Sequence, residues 1–261
     1  MKDSTTIGKI NKIIQGLAIA LFWLMVWQLA YLGIGRDVYV PSPFSVAVAL
    51  GELMQNPFFW QTVLSSIVRV LIGVTLSVVF GLSLGVLAGM HSWLHALMSP
   101  MVGVIKSTPV ISFIIIALVW FSSSNVPIFI GFLMCFPIIW TNSVHGIRQV
   151  DSKLLQMAQV YKISTVQKLK EIYLPSLVPY LSAGVITALG LGWKVSVAAE
   201  VLSHPRRAIG SELHSSKVYI DTPSLFAWTL VVILLSLVFE MVFAKLIRRW
   251  VRSTHFGSHR R

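Results

Sequence analysis

Six runs of apolar residues, each long enough to cross a lipid bilayer, dominate this chain of 261 residues. A helix needs roughly 20 predominantly apolar residues to cross a hydrocarbon core about 30 Å thick. The runs cover residues 13–35, 70–90, 98–121, 126–144, 177–202 and 225–247. Because backbone polar groups find no water in the bilayer, such runs fold as helices. The sequence therefore predicts an all-α polytopic membrane protein with about six transmembrane helices, in a single domain over 1–261.

The distribution of basic residues predicts the orientation of these helices. Hydrophobic residues make up 56% of the chain and charged residues 11%, while the formal net charge is +12. In a membrane protein Lys and Arg concentrate in cytoplasmic loops, so this charge does not indicate nucleic-acid binding. With both termini inside, 14 of the 21 Lys and Arg residues are cytoplasmic and five are outside. We therefore expect a multi-pass membrane protein with both termini in the cytoplasm.

The polar segment between the fourth and fifth runs, on the predicted cytoplasmic side, begins with a short amphipathic helix. Asp151 or Ser152 can cap its start. Leu154, Ala158 and Tyr161 follow at a helical spacing and share one face. An apolar stripe on a short polar helix favours contact with a partner or with the membrane surface.

A second helix follows within the same segment, which spans residues 145–176. Ser164 and Gln167 have the spacing of a capping box, which predicts a helix start. Pro175 and Pro179 are expected to kink the chain as it returns to the membrane. From the residues alone, the two helices form either a docking knob or an interfacial linker that lies on anionic headgroups.

Glycines and the lone cysteine predict packing and no bound metal. Gly81, Gly85 and Gly89 recur every fourth residue of the second run. Such spacing brings helices close together, within one bundle or between two copies. The single Cys135 lies in an apolar run, cannot form an intrachain disulfide and has no metal-ligand neighbour. We expect it in the core, and we expect no metal, no cofactor and no catalytic residue.

Three charged residues fall inside the runs: Lys106, Lys194 and Glu200. Each costs a few kcal/mol to place in lipid, so each is expected to face the bundle, a subunit interface or the aqueous pathway. Residues 194 and 200 are about 120° apart on a helix and should meet different neighbours. Lys106 is a candidate partner for Glu200. These three residues have two possible roles: they line the pathway or gate, or they form structural ion pairs or snorkel. Arg69 is expected to snorkel. Glu240 is expected to pair with a basic residue near the cytoplasmic face.

The 145–176 segment resembles the cytoplasmic loop signature of binding-protein-dependent ABC transporter permeases. That signature reads Glu-Ala-Ala, three variable residues, Gly, about ten further residues and Leu-Pro. The corresponding positions here are Gln156, Met157 and Ala158, then Lys162, then Leu174 with Pro175. The acidic first residue and the glycine are replaced, so we expect Lys162 to end the helix while Ile163 and Ser164 supply the change of direction.

The resemblance continues along most of the chain and is closest to the nitrate, sulfonate and taurine type of permease. It runs in order through residues 38–50, 65–89, 105–121, 136–158 and 188–202. It implies a multi-pass protein of the bacterial inner membrane with a type I ABC importer permease fold. It also implies a cytoplasmic coupling-helix loop that docks on a separate ATPase subunit. The residues that it assigns to coupling are Leu154, Leu155, Gln156, Met157, Ala158, Tyr161, Lys162, Leu174 and Pro175.

The implied function is a membrane pathway for a small solute, driven by the ATPase. The expected solute is an anion such as a sulfonate, nitrate or taurine, or a vitamin precursor. The expected partners are a pair of ATPase subunits, an extracytoplasmic solute-binding protein and a second permease copy, with a homodimer favoured. The external stretches 38–59 and 203–224 either dock the binding protein or are ordinary loops. The alternative is a secondary transporter, or another polytopic membrane protein with an interfacial loop, although the chain shows no internal repeat.

Overall fold

The computed structural model describes residues 3–256, with side chains described for residues 14–246. These residues form helices and no strand. The helices are α1 (Asp3–Ile34), α2 (Pro43–Gln55), α3 (Pro57–Met90), α4 (Ser92–Ser107), α5 (Val110–Trp120), α6 (Val126–Arg148), α7 (Ser152–Val160), α8 (Thr165–Lys168), α9 (Leu174–Ser203), α10 (Ile209–Val218) and α11 (Thr222–Phe256), with a π-helical turn at Leu169–Tyr173 between α8 and α9. The two chain ends that we expect in the cytoplasm lie outside the described residues.

Five long apolar helices, α1, α3, α6, α9 and α11, can cross a membrane by length and composition. The pair α4 and α5 is a sixth candidate, bent by 104°. This agrees with the prediction of about six spans, but the prediction of one continuous run over 98–121 is corrected. The break lies at Thr108 and Pro109, because proline has no N–H to donate and disfavours helical backbone in the residue before it.

The described chain divides into two compact units. The first contains the chain up to Trp60 together with Glu212–Val231. Within it the Trp27 indole Nε1 donates to the Pro41 carbonyl at 3.1 Å, and its ring stacks on Phe226 with centroids 6.0 Å apart. These contacts hold the start of α11 and the chain before α2 against α1.

The second unit contains residues 61–211 and the chain from Val232 onward. In it α3 packs closely along α6 through the predicted glycine face. A Cβ on Gly85 would lie 2.6 Å from the Ser143 Cβ, and Gly81 and Gly89 are similarly close to Ile139 and Ile147. Because the paired residue numbers rise together, the two helices run parallel. The glycine spacing therefore serves close packing within this chain, which is one of the two alternatives predicted from the sequence.

Helix α9 packs against α6 in the opposite direction. Gly131 lies against Ser196 at one end of the contact, and Gly146 lies against Leu177 at the other. Between them the buried Cys135 thiol donates to the carbonyl oxygen of Ala188 at 3.1 Å. The core position predicted for Cys135 is confirmed, and α6 packs against both α3 and α9.

Candidate functional site

The segment predicted to dock a partner is a compact knob, formed by α7, a tight turn and α8 at residues 152–168. The Asp151 carboxylate accepts the backbone N–H of Lys153 at 2.9 Å and caps α7. Ser164 and Gln167 form the predicted capping box, each side chain accepting the other residue's backbone N–H at 3.3 Å. Both helix starts are thus confirmed, and local hydrogen bonds fix the shape of the knob.

The turn between α7 and α8 keeps the geometry that the glycine of the family signature would give. Lys162 adopts a left-handed backbone with φ of 52°. Its N–H donates to the Gln159 carbonyl at 3.1 Å, and the N–H of Ile163 donates to the Ala158 carbonyl at 2.9 Å. This pair of bonds is a Schellman motif, in which the left-handed residue is usually glycine. The change of direction expected at positions 163 and 164 is made by Lys162 itself.

The exposed face of α7 differs from the predicted stripe. Four side chains are exposed: Leu154 by 47%, Met157 by 54%, Val160 by 78% and Tyr161 by 73%. Ala158, by contrast, is completely buried. The expectation that Ala158 belongs to the accessible face is therefore corrected: its methyl group faces the chain itself. Val160 was missed because two sets of residues fit a helical spacing equally well. One set is 154, 158 and 161, and the other is 154, 157, 160 and 161.

The remaining predicted residues of the loop lie around this face or along the helix that leads into the membrane. Gln156 is exposed, Leu155 is half-buried, and Leu174 and Pro175 are exposed in the first turn of α9. The prolines do not interrupt the helix, which continues from α8 through the π turn into α9. Pro175 cannot donate a backbone hydrogen bond, and the widened turn before it accommodates that loss. The chain therefore connects the knob to α9 as one continuous helix.

The predicted intramembrane charges fall into different environments. The Glu200 carboxylate forms an ion pair with Arg69 at 3.0 Å, and the Ser66 hydroxyl donates to it at 2.9 Å. Glu200 is 1% exposed and Arg69 is 11% exposed. The prediction that Lys106 is the partner of Glu200 is wrong, since its ammonium donates to the Thr141 hydroxyl of α6 at 2.9 Å. The snorkelling expected for Arg69 is likewise replaced by a buried pair.

The same carboxylate caps the start of α10. Its Oε2 accepts the N–H of Gly210 at 3.1 Å, while the Ser66 hydroxyl oxygen accepts the N–H of Ile209 at 3.0 Å. The first N–H groups of a helix have no partner within the helix, and a negative charge at that end is stabilising. Glu200 therefore joins α3, α9 and the first turn of α10 through one side chain.

Lys194 lies on a different side of α9. It is exposed, whereas Glu200 is buried, so the prediction that the two residues meet different neighbours is confirmed. Glu240 of α11 lies against Gly190, with its Oε1 3.2 Å from the position of a Cβ on that glycine. Among the side chains that the structure describes, neither Lys194 nor Glu240 forms an ion pair, so the expected basic partner of Glu240 is not found there.

No group of three His, Cys, Asp or Glu side chains lies together within residues 14–246 to hold a metal ion. Outside the spans, partial burial raises the pKa of Glu212, which lies in the first turn of α10. The functional geometry of the described chain thus consists of the knob at one end of α9, the buried Glu200 cluster at the other, and exposed cations between them.

Comparison with known proteins gives a family and a fold. The family model for "Binding-protein-dependent transport system inner membrane component" matches residues 77–252. Bicarbonate transport system permease protein CmpB of Synechococcus elongatus is 29% identical, over 74% of this chain and 73% of its own length. Nitrate import permease protein NrtB of the same species is 31% identical, over 69% of this chain and 68% of its own length.

A solved structure of the MetNI methionine ABC transporter, in inward-facing conformations, contains a chain of the same fold. The two chains superpose with a TM-score of 0.63 at 14% sequence identity. The likeness covers 74% of this chain and 98% of that chain.

Proposed function

The chain belongs to the family of binding-protein-dependent transport system inner membrane components, and on this premise we propose that a separate ATPase drives it through the knob. The chain is a multi-pass inner-membrane permease subunit of an ABC importer, of the nitrate, sulfonate and taurine type, with the type I permease fold. Such permeases work with an ATPase and a solute-binding protein. The details of that partnership in this chain are our proposal.

The exposed apolar face of α7 carries the proposal. Three exposed apolar side chains on this helix of nine residues, together with the exposed Tyr161 at its C-cap, form the face, and hydrogen bonds fix both ends of the helix. An exposed apolar patch of this kind indicates a contact with a partner. Because the helix that follows runs without a break into α9, a displacement of the knob can reach the membrane as a rigid-body movement. A pair of ATPase subunits, one on each of two permease copies, is the partner that fits this role.

We further propose that two copies of the chain form the pathway and that its solute is a small anion. Lys106 and Lys194 are exposed cations on helices of the spans, whereas the negative charge of Glu200 is neutralised by Arg69. Once Glu200 is paired with Arg69, the candidate pathway residues carry a net positive charge. The exposed Glu240 is a negative charge that opposes it. The named solutes of the relatives CmpB and NrtB, bicarbonate and nitrate, are anions as well. The knob and both chain ends are cytoplasmic in this proposal.

A matched pair of substitutions tests the coupling role. Met157→Asp places a charge in the exposed apolar face, whereas Gln159→Asp changes an exposed polar residue of the same helix. Neither side chain is buried in the chain, so both variants should fold. A charge that must be desolvated against a partner is costly, so we expect Met157→Asp to retain at least tenfold less ATPase during purification and Gln159→Asp to stay within twofold of the wild type.

The same experiment distinguishes the coupling role from the alternative, in which the knob is a linker that lies on the membrane surface. An apolar face with nearby lysines also suits anionic lipid headgroups. If Met157→Asp retains its ATPase and only binds more weakly to phosphatidylglycerol vesicles, the knob lies on lipid and the coupling role is rejected.

A further inference from the structure

The short loop between α9 and α10 is held in place by a partly buried arginine, Arg69. The Arg69 guanidinium donates to the carbonyl oxygen of Arg206 at 2.9 Å and to that of Arg207 at 3.3 Å. Arg207 and His204 have left-handed backbones, with φ of 52° and 49°. Left-handed backbone is unfavourable for residues other than glycine, so surrounding contacts must hold it. The loop therefore has one imposed conformation.

The chain just after this loop is fixed as firmly. A Cβ on Gly210 would lie 2.5 Å from the Glu200 Cβ and 2.6 Å from the Val197 carbonyl oxygen, so only glycine fits there. The Ser211 hydroxyl donates to the Pro205 carbonyl at 2.8 Å. The Gly210 N–H bond to Glu200 ties the start of α10 to α9, and the Ser211 bond ties α10 to the first part of the loop.

The two arginines of the loop present their charges outward. Their carbonyl groups face Arg69, both residues are exposed, and among the described side chains neither guanidinium forms an ion pair. Helix α9 has 30 residues, a length of about 45 Å, so the loop lies at the opposite end of α9 from the knob. With the knob in the cytoplasm, the loop is extracytoplasmic. Two adjacent arginines on that side run against the usual bias of basic residues toward the cytoplasm.

We propose that Arg206 and Arg207 form a docking point for a carboxylate-bearing surface of the extracytoplasmic solute-binding protein, an inference that rests on the proposed function. Guanidinium groups bind carboxylates in a paired, directional way. A backbone that is already ordered lowers the entropic cost of binding a protein surface. Capture of lipid phosphate needs no such order, because flexible arginines reach headgroups by snorkelling. Through Arg69 and Glu200, this docking point is joined to α3 and to α9, whose other end carries the knob.

The test uses the assembled permease and ATPase in phosphatidylcholine nanodiscs, with the solute-binding protein that co-purifies with them as the probe. The variants are the pair Arg206→Glu with Arg207→Glu, the conservative pair Arg206→Lys with Arg207→Lys, and Arg36→Glu as an exposed control on the same predicted side. We expect at least tenfold weaker binding for the glutamate pair, a smaller loss for the lysine pair and no change for the control. Raising the salt concentration should weaken wild-type binding much more than binding by the glutamate pair.

Basal ATP hydrolysis and retention of the ATPase should be unchanged in every variant, since the loop is remote from the knob. Equal binding by the wild type and the glutamate pair would overturn the docking point. The same variants are also placed in nanodiscs that contain phosphatidylglycerol as well as phosphatidylcholine. A glutamate pair that binds the protein normally but no longer enriches phosphatidylglycerol would also overturn the docking point, because the arginines would then be a headgroup site. A wild type that retains neither ATPase nor binding protein would reject the proposed function itself, and the docking point with it.

Discussion

At Glu200, donors from α3 and from the start of α10 converge on one buried carboxylate. Its partners are the Arg69 guanidinium, the Ser66 hydroxyl and the Gly210 N–H. A buried ion pair adds little net stability compared with a well-packed apolar pair, but the loss of one member leaves an uncompensated charge. Glu200 therefore holds three parts of the chain together, and its removal should lower the stability of the fold.

We predict that Glu200→Gln lowers the free energy of unfolding by about 3 kcal/mol, because the partly buried Arg69 charge loses its partner. Thermal unfolding in detergent, followed by size-exclusion chromatography, measures the change. Glu240→Gln is the matched control, since Glu240 is exposed and has no ion pair among the described side chains. Equal unfolding temperatures for the two variants would contradict a structural role for Glu200.

A second residue-scale prediction concerns the turn of the knob. Lys162 adopts a left-handed backbone at φ of 52°, which costs roughly 1–2 kcal/mol for a residue with a Cβ. Lys162→Gly should relieve part of this cost and slow amide hydrogen exchange in α7 and α8, without loss of ATPase retention. Lys162→Val should do the opposite, since a β-branched residue tolerates this backbone poorly. Faster exchange in the glycine variant would mean that the Lys162 side chain holds the turn.

Local patterns predicted the residues whose contacts are local, and failed where contacts are distant in sequence. The helix caps at Asp151 and Ser164 follow from spacing alone, and both are present. The partner of Glu200 is 131 residues away, at Arg69, where no helical period relates the two positions. Ala158 was misplaced for a different reason: a helical stripe shows which residues share a face, but not which face the rest of the chain covers.

At the scale of elements, the glycines of α3 set how closely α3 approaches α6. Their four-residue spacing predicts close packing because small residues let helix backbones meet. The break between α4 and α5 was harder to predict, since the apolar run over 98–121 is long enough for one span. Pro109 was the available signal, and its effect on the preceding residue explains the 104° bend.

We predict that Gly85→Ala disrupts this helix pair. The new methyl group would lie 2.6 Å from the Ser143 Cβ and 2.9 Å from the Trp140 carbonyl oxygen, so the two helices would have to separate. Fluorescence-detected size-exclusion chromatography should show less monodisperse protein and a lower unfolding temperature. Gly103→Ala is the matched control on α4, with nothing within 4 Å of the new methyl group. It should be neutral or stabilising by up to about 1 kcal/mol; equal behaviour of both variants would refute close packing at Gly85.

At the scale of the whole molecule, the topology proposed from the sequence puts the knob in the cytoplasm and the stretch 203–224 outside. In a background with Cys135→Ala, we expect Ser152→Cys to react with a membrane-impermeant maleimide only in inside-out vesicles. Tyr219→Cys, at a residue 82% exposed, should react from the outside of intact cells. Labelling of both positions from one side would contradict the proposed topology.

The fold class was predictable at this scale because the bilayer imposes it: long apolar runs must be helical and internally hydrogen-bonded. The family followed from the order of motifs along the chain. The solute did not follow from the sequence. In the proposed pathway it depends on which exposed cations two copies bring together, and neither Lys106 nor Lys194 has a neighbour in sequence that identifies the bound molecule.

The most direct test of the central claim is photo-cross-linking from position 160 of the purified transporter. Val160 is the most exposed residue of the apolar face on α7, so a benzophenone side chain there probes whatever covers the knob. We predict a covalent adduct with the ATPase subunit, and none when the same group replaces Tyr219. Adducts with lipid alone, while the ATPase is present in the preparation, would contradict the claim that the knob couples this permease to ATP hydrolysis.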